Sequence, residues 1–528
     1  MAVKVETRYH ERRCTMITRQ QLAATLGASI FFASAVVASA SDQPQWGEAW
    51  SRNMVSPERG LPASFDPETG ANLKWAVDIG TETHSTPVIA GGRIYLGTNN
   101  GKPRDPKHKG DRGVLMCLDE ATGDFLWQLV VPKREEDIFF DWPNSGMSSP
   151  ATVEGDRVYI VSSRGEVMCL DACGMTNGNG GVFQEEGRHM TRQAPGTADA
   201  DRVPDLQPGP LDADILWLFD LTSGAGIWSH DGAHSSILVR GDHLYLNTGT
   251  GVDNTHRKIR TPDAPSLVVL DKRTGKLLAR ERENIAPFIF HSTWSSPSLG
   301  KVEGRELLFF AAGNGKVFAF EPLPAGFQSP GNSPATLRKA WEFDFDPASP
   351  KTNVHEYITN RKESPSNMYG MPVLHRDRLY VAGGGDIWWG KNQAWLKCID
   401  PRGAGDITTN ALLWTYPLKQ HVLATPAIHD GIVYLADCGR TFHAVDAQTG
   451  QPLWTHEVRG EVWSSAYVAD GKVWLGTRSG ILYVFAAGRE KQKLLELDLG
   501  KPISATPTAA NGVIYLATMS RLYAVAAR

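Results

Sequence analysis

Apolar and polar positions alternate in short runs along most of this chain, and the runs come in pairs broken by glycine. Arg93-Ile94-Tyr95-Leu96 and Val513-Ile514-Tyr515-Leu516 are typical second members of such pairs. Gly91-Gly92, Asp430-Gly431 and Asn511-Gly512 are typical breaks. Alternation turns every second side chain toward one face of a strand. A glycine-containing break between two such runs is a hairpin signal. The pattern therefore predicts a long succession of short antiparallel strands, an all-β chain.

The succession is periodic. A phrase built from a small or hydroxyl residue, a proline or apolar residue, an apolar run and a glycine turn recurs eight times. Its copies begin at Ser85-Thr86-Pro87, Ser148-Ser149-Pro150, Ser235-Ser236-Ile237, Ser295-Ser296-Pro297, Gly370-Met371-Pro372, Ala424-Thr425-Pro426, Ser464-Ser465-Ala466 and Ala505-Thr506-Pro507. A second phrase, apolar-Asp-x-x-Thr-Gly followed by tryptophan, runs from Asp119 to Trp127 and from Asp446 to Trp454. Asp271 to Gly275 keeps the turn but has Ala279 at the tryptophan position. Asp accepts backbone N–H bonds in such a turn and Gly takes a positive φ. The two phrases together make a four-stranded unit, and internal repetition of this kind is the signature of a propeller.

The last unit stops after Arg521-Leu522-Tyr523-Ala524-Val525. Its missing fourth strand stands near the other end, where Phe65-Asp66-Pro67-Glu68-Thr69-Gly70 leads into Leu73-Lys74-Trp75-Ala76-Val77. The expectation is an eight-bladed β-propeller of four-stranded antiparallel blades over 65–528, closed by an N-terminal strand that completes the C-terminal blade. Closure removes two exposed sheet edges. Trp75, Trp127, Trp414 and Trp454 fall on last strands, where a large ring docks one blade against the next. Cys117, Cys169 and Cys398 share one slot with Ala319 and Ala444, as small buried residues do.

Length and composition agree with a repeat array. The chain has 528 residues, more than a single compact core usually holds, with 52 glycines and 16 tryptophans. A net charge of −4 gives no general attraction to nucleic acid, so no nucleic-acid partner is expected. Arg12, Arg13 and Arg19 precede an apolar run from Leu22 to Val37 that ends in Ala38-Ser39-Ala40. That is the form of a cleaved signal peptide over 1–40, directing the protein to the periplasm or the extracellular space. The Arg12-Arg13 pair stands well back from the apolar run, which favours general secretion over twin-arginine export. No transmembrane segment is expected, and a monomer is. Residues 41–64 form an N-terminal extension, and an insertion covers about 172–212.

The second phrase resembles the pyrroloquinoline quinone (PQQ) type of propeller repeat, whose tryptophan-docking pattern Ala444-Val445-Asp446-Ala447-Gln448-Thr449-Gly450-Gln451-Pro452-Leu453-Trp454 follows throughout. The resemblance covers about residue 65 to the end. It extends to non-catalytic BamB-like scaffold propellers and to quinoprotein alcohol dehydrogenases. Phrases such as Gly178-Asn179-Gly180-Gly181 and Ala264-Pro265-Ser266 are similar to those of PQQ-like propellers common in planctomycetes. The resemblance implies either an envelope scaffold or an oxidoreductase that uses PQQ with calcium. The chain departs from both: it has no vicinal Cys-Cys pair of the kind typical over the quinone, and no cysteine ends the apolar run to carry a lipid. The departures favour a non-catalytic binding or protein-interaction scaffold. A PQQ-dependent dehydrogenase acting on an alcohol or sugar is the alternative, and no catalytic residue is assigned.

In a propeller the inter-blade loops and the second-to-third-strand loops share one face. The inter-blade loops here carry His84, Asp141, Trp142, His230, Asp231, His234, His291, Trp294, Tyr369, His421, Glu461 and Trp463. The second-to-third-strand loops of blades one, three and five are long, and contain Lys107-His108-Lys109, Asp253-Asn254-Thr255-His256 and Asp386-Ile387-Trp388-Trp389. Long loops on a rigid scaffold are where binding is usually built. The candidate ligand-binding residues are His84, His234, His291, Trp294, His421 and Trp463, facing a small planar ligand or an envelope protein. These histidines have no local metal-ligand spacing, so no metal site is assigned. Asp171, Asn177-Gly178-Asn179-Gly180 and Glu185-Glu186 offer oxygens to a hard cation, but off the EF-hand spacing, and a plain turn is the simpler reading.

Overall fold

In the computed structural model, which describes residues 41–134, 138–191, 203–232, 234–331 and 333–527, the strands assemble into eight sheets. Each has a core of four antiparallel strands, and the eight form a β-propeller. Blade one runs Val88–Ala90, Arg93–Asn99, Arg112–Asp119 and Phe125–Pro132, and the other seven repeat this order. Leu73–Asp78 pairs antiparallel with Arg521–Val525 and completes blade eight. The predicted signal peptide lies outside the described residues, as does the part of the insertion at 192–202. Among the described residues no helix is long and apolar enough to cross a membrane.

A ring of tryptophans ties the blades to one another. On six of the eight last strands the ring lies directly across from the small-residue slot of the third strand, as in Cys117–Trp127, Cys169–Trp217, Cys398–Trp414 and Ala444–Trp454, while blade three has Ala279 there and blade seven Leu495. A larger residue in that slot would collide with the indole. Each indole N–H then donates to a turn carbonyl of the next blade. Trp75 reaches Glu120, Trp127 reaches Ala172, Trp217 reaches Lys272, Trp341 reaches Pro401, Trp414 reaches Ala447 and Trp454 reaches Gly488, at 2.8–3.3 Å. The turn glycine makes room for the ring: a Cβ on Gly275 would stand 2.5 Å from Trp217, and one on Gly450 2.6 Å from Trp414.

The hydroxyl residues of the first phrase form a second ring, around the channel. Thr506 N donates to Thr86 Oγ1, Ser465 N to Thr506 Oγ1, Thr425 N to Ser465 Oγ, Met371 N to Thr425 Oγ1, and Ser236 N to Ser296 Oγ. Each bond joins the segment just before one innermost strand to the same segment of a neighbouring blade. A buried backbone N–H at the crowded hub has no ladder partner on that side, and the neighbouring hydroxyl supplies one.

The extension threads the hub, which the strand pattern gave no means of predicting. Carbonyls of Ser41, Gln43, Pro44, Trp50 and Met54 accept from Asn511, Ile89, Val153, Leu299 and Val468, in blades eight, one, two, four and seven. Asn53 exchanges two bonds with Ile428 in blade six. Val55–Ser56 adds a parallel strand inside blade seven. Arg52 is completely buried and donates to Pro297 O, Trp46 O, Ser236 O and Ser236 Oγ. Burial pushes its guanidinium down to about 9. Short parallel strands at Ala335–Thr336 and Gly405–Asp406 likewise extend the outer edges of blades three and four.

Candidate functional site

Above the threaded segment, the inter-blade loops and the long second-to-third-strand loops enclose a cavity of about 520 Å³. Its base includes Trp46 of the extension, whose indole donates to Thr506 Oγ1. Its walls are largely aromatic: Phe139, Trp142, Trp294, Tyr369, Trp388, Trp389 and Trp463. Trp294 packs on Tyr369 with ring centres 4.9 Å apart and stands edge-on to Trp388 at 5.6 Å. Trp463 stands edge-on to Trp388 at 6.0 Å, His84 stacks on Trp463 at 6.0 Å, and the Arg478 guanidinium lies 4.3 Å from the same indole. Arg478 is held by Ser504 Oγ at 2.7 Å, and burial lowers its basicity. Apolar walls, a volume of this size and a few fixed polar groups are the marks of a small-molecule or side-chain pocket.

A histidine cluster forms one side of this cavity. His230, His256 and His291 come from the loop into blade three, the second-to-third-strand loop of blade three, and the loop into blade four. Each offers a ring nitrogen, and the three nitrogens lie within 4.8 Å of one another. The approach depends on Gly251, where a Cβ would stand 2.6 Å from His291 O and 2.8 Å from His230 Cβ. Asp231 Oδ2 lies 3.6 Å from His230 Nε2 and 3.8 Å from His291 Nε2. Both Asp231 and His256 hold a left-handed backbone, at φ 59° and 58°. Non-glycine residues adopt that conformation at a cost, and such strain clusters at functional sites.

Behind the cluster, Asp386 is sealed from solvent. It accepts from His291 Nδ1 at 2.9 Å, from the Tyr369 hydroxyl, and from the amides of Trp388 and Trp389 at 2.9 and 2.6 Å. One carboxylate thus orients the histidine and sets the turn that presents two pocket tryptophans. Burial works to raise the Asp386 pKa, but His291 and these donors outweigh it and hold it below the usual carboxylate range. Burial works to lower His291, and Asp386, with Asp231 behind it, outweighs that and raises it. Burial, then the neighbouring His291, pushes His256 down to about 4 and His230 down as well. Burial raises Asp231 to about 6.

Five of the six residues singled out from sequence line this cavity: His84, His234, His291, Trp294 and Trp463. His234 packs on Trp294 at 4.8 Å, its Nε2 bonds Asp231 O, and burial lowers its pKa to about 4. His421 does not join them. It lines a separate cavity of about 320 Å³ with Arg361 and Glu461, and bonds Lys391 O at 3.1 Å. Sequence reasoning had placed His230, Asp231 and His256 on this face without choosing them, and had not seen Phe139 or Arg478. The His-Asp-Gly run at 230–232 and the paired Trp388-Trp389 were the usable signals.

Two other polar groups hold themselves together. In the glycine-rich insertion, Asp171 accepts from Cys173 N and Asn177 Nδ2, Glu186 from Asn179 Nδ2, and Asp214 from Gly180 N, so the carboxylates serve local turns. Asp105, His108 and Asp212 lie close enough for a cation, but Lys107 Nζ already bonds Asp212 at 2.5 Å.

The fold and site define a closed propeller with an aromatic pocket on its loop-rich face. A family model described as outer membrane protein assembly factor BamB matches residues 111–175 and 333–488. The chain is 26% identical over 186 residues to outer membrane protein assembly factor BamB of Moranella endobia (strain PCIT), covering 33% of this chain and 41% of that protein. The match therefore spans less than half the length of the curated relative. A europium-containing methanol dehydrogenase superimposes with a TM-score of 0.57 at 11% identity, over 92% of this chain and 98% of its own. That likeness is one of fold. The crystal structure of BamB from Moraxella catarrhalis gives a TM-score of 0.48 at 11% identity, over 86% of this chain and 97% of its own. The family match covers less than half of this chain, so what these matches support is a β-propeller whose repeats are PQQ-like and similar to those of BamB.

Proposed function

We propose that this protein is a non-catalytic binding propeller of the cell envelope, which docks a protein partner or a planar ligand in the aromatic pocket of its loop-rich face. The observation that carries the reading is the pocket itself: aromatic walls, a fixed Arg478 and a rigid threaded base leave a preformed, mostly apolar cavity of about 520 Å³. Stacking on Trp294 and Trp463 would hold a flat group, and Arg478 would orient a carboxylate on it. The BamB-like repeats and the apolar N-terminal run before Ala38-Ser39-Ala40 support an envelope setting.

The alternative is a PQQ- and calcium-dependent dehydrogenase. The donor set beside the pocket fits it poorly. Calcium takes six to eight oxygens, whereas this wall offers three imidazoles, the Asp231 carboxylate and an Asp386 already engaged by four donors.

The test pairs two measurements. A photo-crosslinker placed at Trp142, on the exposed rim, is expected to trap a discrete envelope partner or ligand, and Trp463→Ala with Arg478→Gln is expected to abolish the product. Titration with PQQ and Ca²⁺, followed by a dye-linked alcohol and sugar oxidation assay, is expected to give neither a quinone spectrum nor turnover. Saturable turnover would replace this reading with the dehydrogenase.

A further inference from the structure

We propose that His230, His256 and His291 form a binding site for one divalent transition-metal ion of the zinc class, set in the wall of the aromatic pocket. The inference goes beyond the docking function above and does not depend on it.

Geometry argues first. The three candidate ligand atoms already lie within 4.8 Å of one another. An ion bound at about 2.0–2.1 Å to each in tetrahedral geometry would hold them about 3.4 Å apart. Loading thus needs only a ring rotation on the order of an ångström.

Unpaired donors argue second. His230 Nε2 and His291 Nε2 are buried and have no hydrogen-bond partner. A buried polar atom left unpaired costs about 1–3 kcal/mol. Two of them facing one point, beside an unpaired Asp231 Oδ1, is an arrangement a cation would resolve. Each ring is also held by a bond of its own. His291 Nδ1 is fixed by Asp386, His230 by a backbone bond at Val252, and His256 by one at Asn254. A carboxylate behind a histidine, with the free nitrogen pointing inward, is the usual support of a metal-bound imidazole.

The donor set selects the ion. Three imidazoles suit zinc, copper, iron or nickel and disfavour calcium or magnesium. Three protein ligands leave a fourth position, which Asp231 fills or a group in the pocket occupies. Strain at Asp231 and His256 fits the same account, because metal bonds would offset the left-handed backbone.

The experiment uses tag-free, chelator-treated protein. Zinc uptake measured by elemental analysis is expected to reach one ion per chain. Cobalt substitution is expected to give the intense visible absorption of four-coordinate Co²⁺. His256→Ala should lose both, Asp386→Asn should weaken zinc affinity about 10–100-fold, and His421→Ala should change neither. X-ray absorption at the zinc edge of the wild-type protein, which needs no variant, should show three imidazoles around the ion. Wild-type uptake no greater than that of His256→Ala, or a zinc shell with fewer than three imidazoles, overturns the site. Loss of partner docking in the Trp463 and Arg478 variants would leave the zinc result intact, so the two proposals fail separately.

Discussion

His291 Nδ1 and Asp386 Oδ2 meet at 2.9 Å with both side chains sealed from solvent. They come from the loop into blade four and the second-to-third-strand loop of blade five, so the bond couples two blades at the edge of the pocket. Removing one member of a buried ion pair costs about 3–5 kcal/mol, because the other charge is left without its partner. Asp386→Ala is expected to cost that much and to free the Trp388–Trp389 turn. Urea denaturation and near-UV circular dichroism would read the two effects.

The indole ring of the hub-to-rim stack predicts a graded series. Trp127 is buried and donates to Ala172 O at 3.0 Å. Trp127→Ala should cost about 3–5 kcal/mol through the lost contacts and the cavity. Trp127→Phe keeps most of the packing and should cost about 1–3 kcal/mol for the carbonyl left without its donor. Equal costs for the two variants, measured by denaturant midpoint at constant slope, would contradict this account.

Arg52 predicts the behaviour of the threaded extension. Its guanidinium serves carbonyls at Trp46, Ser236 and Pro297, each worth about 1–3 kcal/mol if left unpaired. Arg52→Ala should destabilise the protein by at least about 3 kcal/mol. The loss should appear first as faster amide exchange at Val153, Leu299 and Val468, which donate to the extension. Unchanged protection at these amides would show that Arg52 does not hold the segment.

Acid stability should depend on Glu166. Burial works to raise its pKa, but His189 at 3.0 Å, Arg164 and Ser162 outweigh it and bring it down to about 2. The folded pKa lies below the unfolded value near 4.5, so the folded state binds the proton more weakly. The resulting stability is fully present above about pH 4.5 and is lost as pH falls toward 2. Glu166→Gln should flatten stability across that window, as a series of denaturant titrations from about pH 2 to 5 would show.

Much of the site was legible because repeats carry position. Once eight copies of the first phrase were aligned, His84, His234, His291, Trp294 and Trp463 necessarily stood on one face, and they line one cavity. His421 obeyed the same register yet faces another cavity, because Asp437 draws Lys419 N and Gln420 N toward itself and His421 turns to Lys391 O. Register gives the height of a residue in the ring but not the rotamer that decides which cavity it enters. His256 and Asp386 were harder, since they sit in long loops where no repeat fixes the path.

Alternation, the paired phrases and the split last repeat were enough to determine the eight blades, the closing strand and the docking tryptophans, because those features follow from strand period and local turn chemistry. The tertiary structure alone decided that residues 41–56 thread the hub, that Arg52 is buried among carbonyls, and that His230, His256 and His291 meet. These depend on contacts between segments tens to hundreds of residues apart, made by side chains in loops. No local periodicity encodes such contacts; they exist only once the ring has closed and brought its loops to a common axis.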